Sequence, residues 1–132
     1  MATYKQFEAF VKKNLKVVQP KEAPKGFMAL NYAMPNDRSH FVFVAPGPEN
    51  ELVGPTATLM APVGELTAKQ IDTALTMCNN LLYGLVKLGE TVFVKTTLLL
   101  ENIDENEIHT PLITICLAAD ILEGKILSQD RF

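Results

Sequence analysis

Four side chains carry the most reactive chemistry this sequence offers: Cys78, Cys116, His40 and His109. A thiol beside an imidazole can form a nucleophile–base pair, because the ring takes the proton that thiolate formation releases. Cys78 falls on an apolar helical stripe, however, where burial raises a thiol's pKa and makes it inert. His40 stands beside Ser39 at a strand start and reads as a solvated turn residue. His109 precedes Thr110-Pro111 at a helix start. None of the four is expected to be catalytic.

The same residues fail as a metal site, since no two of them stand at C-x2-C or H-x3-H spacing. Asp104-Glu105-Asn106-Glu107 looks like part of a calcium loop but lacks its central glycine and terminal glutamate register, so a helix cap explains it better. Gly47, Gly54 and Gly64 stand outside any phosphate-cradling glycine motif. Phe41 and Phe43 alternate with Val42 and Val44, the pattern of a core strand rather than of a stacking platform among basic residues. The expectation is a protein without cofactor, metal or catalytic turnover.

The elements that would position any site follow from periodicity and capping. Thr3 with Gln6 caps a helix from Tyr4 to Leu15, whose stripe is Phe7, Phe10, Val11 and Leu15. A linker with Pro20, Pro24 and Gly26 ends it. Strands are expected over Phe27–Met34, Phe41–Ala45 and Thr56–Val63, with the turn Pro35-Asn36-Asp37-Arg38 after the first. Pro55 and Pro62 bracket the third run, which predicts an edge strand. Thr67 with Gln70 caps a second helix, whose stripe is Ile71, Ala74, Leu75, Cys78, Leu81 and Leu82. A hairpin follows, Tyr83–Leu88 and Thr91–Leu100 around Gly89-Glu90. The last helix is expected from Pro111 to Leu127, after a short turn from Asp104, with one apolar stripe at Leu112, Ile115, Ala119, Leu122 and Ile126 and a second at Ile113, Leu117 and Ile121, which suits burial between layers or packing on a partner. The sheet should be antiparallel and five-stranded, with Phe41, Phe43, Leu75, Cys78, Leu112, Ile115 and Leu122 buried.

Composition bounds the function classes. At 132 residues, with 48% hydrophobic and 20% charged residues, the chain reads as one globular domain over 1–132. A net charge of −3 argues against nucleic acid or an anionic membrane as partner. Lys12, Lys13, Lys16, Lys21 and Lys25 read as a solvated face and linker. The first residues show no export signal and no run is long enough to span a membrane, so a cytoplasmic location with reduced thiols is expected.

The pattern resembles the type III secretion chaperone-like superfamily, which includes YbjN-like proteins. The likeness runs through Phe41-Val42-Phe43-Val44, Ala57-Thr58-Leu59-Met60-Ala61-Pro62-Val63-Gly64, the end of helix two at Asn79-Asn80-Leu81-Leu82-Tyr83-Gly84, the hairpin, and Ala118-Ala119-Asp120. It implies an α+β fold, α-β-β-β-α-β-β-α, with helices packed on a curved antiparallel sheet. It also implies a small dimeric protein, without cofactor, that holds an extended segment of a partner polypeptide, and it puts the dimer contact near helix two and the next strand.

Two classes of function follow. The first is a non-catalytic, chaperone-like or regulatory protein-binding module, with Thr73, Met77, Asn80, Gly84 and Val86 at a homodimer interface. Its partner strand would add along Thr56, Thr58 and Met60. The alternative is a small-ligand-binding or enzymatic protein with a pocket between sheet and helices. Convergent polar groups in a deep pocket would favour the alternative; a shallow apolar groove beside an open strand edge would favour the first.

Overall fold

In the computed structural model, which describes residues 3–20, 23–34, 39–49, 51–81 and 83–127, both capping boxes form. Thr3 Oγ1 accepts from the Gln6 N–H at 3.2 Å, and Gln6 Oε1 accepts in return from the Thr3 N–H at 3.3 Å, starting α1 (Tyr4–Asn14). Thr67 and Gln70 repeat the arrangement at 3.2 and 2.8 Å and start α2 (Ala68–Met77), which a 3-10 turn, Cys78–Asn80, extends. Each box satisfies two backbone donors that the first helical turn leaves orphaned. Asp104 and Glu107 cap a second 3-10 turn, Glu105–Glu107, and α3 runs from His109 to Ile126. Leu82 and the turn 35–38 lie outside the described residues.

The strands are β1 (Val17–Val18), β2 (Met28–Ala33), β3 (Ser39–Pro46), β4 (Thr56–Gly64), β5 (Gly84–Leu88) and β6 (Thr91–Leu99). They form one open antiparallel sheet in the order β1-β2-β3-β4-β6-β5. The fold is therefore α+β, with six strands rather than five. The additional strand, β1, is two residues long, too short to carry a periodicity.

Alternation assigns each strand's faces. Leu30, Val42, Val44, Ala57, Leu59, Ala61 and Val94 join Phe7 and Val11 of α1, Ala74 of α2, and Leu112, Ile115 and Leu122 of α3 in the main core. On the other face Ala29, Phe43, Met60 and Phe93 form a smaller buried cluster, flanked by the half-buried Phe41 and Val86. Phe93 meets Phe43 edge to face, ring centres 5.9 Å apart, a geometry that aligns a positive ring edge with a negative face.

The proline-bracketed run is a central strand, not an edge. β4 pairs with β3 on one side and β6 on the other, and all of its residues are buried. Pro62 is tolerated because the β3–β4 ladder ends at Phe43–Met60, before it, and because the β4–β6 register shifts between Pro62 and Gly64. The Pro62 carbonyl is taken up by His40, whose ring Nε2 lies 3.0 Å from it. That contact reverses the sequence expectation for His40, which is 1% exposed.

Of the residues expected in the core, Phe43, Leu112, Ile115 and Leu122 are buried, while Phe41 and Cys78 are half-buried. Leu75 is 52% exposed instead. Within α2, only Ala74 is fully buried; Leu75, one residue on, is rotated about 100° away from it.

Candidate functional site

The hairpin joining β5 to β6 turns in two residues, Gly89 and Glu90, with Leu88 opposite Thr91. Gly89 has φ 61, the left-handed backbone that primed hairpin turns require and that glycine adopts without a Cβ clash. In a two-residue hairpin the flanking pair exchanges both hydrogen bonds, and bonded and non-bonded pairs then alternate. The main-chain groups of Gly84, Val86 and Leu88 therefore face β6, and those of Leu85 and Lys87 face outward. β5 ends the sheet, and among the described residues no strand lies beyond it.

Between α3 and the 3-10 turn that precedes β5 runs a shallow apolar groove of about 160 Å³, lined by Asn80, Leu81, Thr114, Leu117, Ala118 and Ile121. Leu117 and Ile121 are 40% and 41% exposed on α3, which accounts for the second apolar stripe that this helix carries. Among the described residues none that lines it is charged. The Tyr83 hydroxyl, 3.0 Å from Thr114 Oγ1, ties the residue preceding β5 to α3 and so fixes the edge relative to the groove.

The residues expected at interfaces distribute unevenly. Thr56, Thr58 and Met60 lie on the central β4 and cannot accept an added strand, because both of its ladders are occupied. Met77 is half-buried against the main core, and Val86 packs on the opposite face of the sheet. Thr73 is exposed, with its hydroxyl donating to the Lys69 carbonyl of its own helix. Gly84 lies on the open strand and Asn80 lines the groove. The five do not form one patch. Leu117 and Ile121 belong to the groove instead, and the two-sided hydropathy of α3 was the signal for them.

Both thiols are held above the ordinary thiol range. Cys116 is buried and its thiol is pushed up to about 12, first by burial and then by the Asp120 carboxylate. Cys78, half-buried at the end of α2, is raised by burial as well. The Tyr32 hydroxyl meets His109 Nδ1 at 3.1 Å, and its pKa is raised by burial and by Cys116. Among the described residues no three of His, Cys, Asp or Glu gather as metal ligands, and no helix is long and apolar enough to cross a membrane.

No family model matches the chain, and no curated protein or solved structure matches it either.

Proposed function

We propose that this protein is a non-catalytic binding module that holds an extended segment of another polypeptide along β5. The observation that carries the reading is the outer edge of that strand, where Leu85 and Lys87 direct their main-chain groups away from β6, with an apolar groove near the strand's start. An added strand gains main-chain hydrogen bonds there, and alternate side chains reaching Leu117 and Ile121 supply selectivity. A homodimer is the self-complementary form of the same contact. Antiparallel pairing of two β5 strands about a two-fold axis would bring Gly84 and Val86 of both copies together, with Asn80 alongside. The likeness to type III secretion chaperone-like proteins supports either form. The same reading sets the protein in the cytoplasm, where both free thiols would stay reduced.

Selection of a random peptide display library on the immobilised protein tests it. Recovered peptides should alternate apolar and polar residues and protect the Leu85 and Lys87 amides from hydrogen exchange. Lys87→Pro removes an outward N–H that β6 does not use, so it should weaken those peptides about tenfold while leaving the melting temperature within a few degrees. Light scattering at micromolar concentration reports whether a second copy occupies the edge. Binding that leaves both amides unprotected, or turnover of a generic hydrolase panel, would overturn the reading.

A further inference from the structure

At the opposite end of the sheet, where β2 meets the end of α1 and the start of α3, a second cavity of about 460 Å³ is lined by Asn14, Lys16, Asn31, Tyr32, Ser39 and His109. Leu15 and Ala33 also line it, and among the described residues no carboxylate does. That composition stands apart in a chain whose net charge is −3. It combines an ammonium, an imidazole, two carboxamides and two hydroxyls. The volume falls within the roughly 300–1,000 Å³ typical of small-molecule sites.

We infer that this cavity binds a small oxyanion, a carboxylate or phosphate group carried by a low-molecular-weight compound. Lys16 supplies the fixed positive charge. Tyr32 orients the imidazole through its contact with His109 Nδ1 at 3.1 Å; with the hydroxyl donating, the ring proton sits on Nε2 and becomes a further donor. Three carbonyls at and just beyond the end of α1, which would otherwise repel an anion, are engaged. Phe10 O accepts from Asn14 Nδ2 at 2.9 Å, Val11 O from the Leu15 N–H at 2.9 Å, and Lys16 O from the Asn31 N–H at 3.0 Å. Neither β5 nor the apolar groove contributes to this site, so it stands or falls independently of polypeptide binding.

Titration with inorganic phosphate and, separately, with acetate at constant ionic strength, followed by the NMR signals of the His109 ring and the Asn31 and Tyr32 amides, decides the matter. At least one anion should give saturable shifts with a midpoint at millimolar concentration or below, and chloride should give none. Whichever of the two binds more tightly identifies the headgroup. Lys16→Ala and His109→Gln should each weaken binding at least tenfold; the glutamine keeps a hydrogen-bonding group near Tyr32 but not the donor that the ring carries at Nε2. Lys13→Ala, outside the cavity lining, should leave the midpoint unchanged. Shifts that stay linear in both anions, or a midpoint that is the same in Lys16→Ala, would overturn the assignment.

Discussion

At the β5 end of the sheet the groups left to the outside are main-chain amides and aliphatic side chains; at the β2 end they are an ammonium, an imidazole and carboxamides. The difference starts in the backbone. β1 covers the outer edge of β2 by pairing Val17 with Leu30 and Val18 with Ala29, and Lys16 O takes the Asn31 N–H. With the main chain of β2 used from Ala29 to Asn31, recognition at this cavity falls mainly to side chains, and those present are polar. The β5 end keeps an unused ladder, and Leu81, Leu117 and Ile121 line the groove near its start. One end suits a strand, the other a small polar molecule.

The sharpest way to break this contrast is amide hydrogen exchange. The outward amides of Leu85 and Lys87 should exchange on the order of a thousandfold faster than those of Leu59 or Val94, which sit within the central part of the sheet. Equal protection at low protein concentration would mean that the β5 edge is already covered and that the two ends do not differ as described.

Phe93→Ala comes next in size. Phe93 lies opposite Val86 of β5 and packs edge-on against Phe43, so the edge strand rests on it. Loss of a buried phenylalanine costs about 3–5 kcal/mol. Chemical denaturation should show that loss, and exchange should show β5 loosening before β2. A variant that loosens both ends equally would place Phe93 in a common core rather than under one end.

Much of this architecture could be read in the sequence. The capping boxes at Thr3 and Thr67 announce their helices because the whole device lies within four residues. The β5–β6 hairpin is equally local, a two-residue turn ahead of a β-branched run. Position within the sheet is not local. Pro55 and Pro62 suggest an edge when β4 is read alone; the end of the β3–β4 ladder at Met60 and the register shift against β6 after Pro62 make a proline acceptable in a central strand. His40 follows from the same cause, since the carbonyl that it serves belongs to Pro62, 22 residues away. Leu75 was placed in the core by a stripe wider than the face that α2 buries. The groove residues on α3 were visible as an extra stripe, but the strand edge near them depends on which element ends the sheet, and alternation does not encode that.

The two cysteines sample the two regions, Cys78 at the end of α2 and Cys116 behind Tyr32, and a thiol reagent should separate them. Cys78 should label on the order of a hundredfold faster than Cys116, whose modification should await unfolding. Base titration gives an independent check. The folded chain holds the Cys116 proton up to about 12, whereas an unfolded thiol releases it near 8.5. The neutral thiol's contribution is therefore fully present below about pH 8.5 and is lost as pH rises from there towards 12. The stability difference between wild type and Cys116→Ala, measured by denaturant midpoint, should shift against the wild type between pH 8 and pH 11. A constant difference would mean that Cys116 is not held away from solvent.

The smallest effects come from a matched pair of hydroxyl deletions. Tyr32→Phe removes the contact with His109 at the β2 end, and Tyr83→Phe removes the contact with Thr114 near β5; the two distances are 3.1 and 3.0 Å. Each should destabilise the fold by about 0.5–1.5 kcal/mol. Tyr32 is the more buried, so its loss should be the larger, because water cannot easily replace the missing partner. The functional consequences should cross. Tyr32→Phe should weaken anion binding and leave peptide binding alone, since its hydroxyl orients an imidazole that the groove does not use. Tyr83→Phe should do the reverse, by releasing the start of β5 from α3. If both substitutions changed both activities together, the ends would be coupled through α3, which carries His109 at one end of its course and Thr114, Leu117 and Ile121 further along.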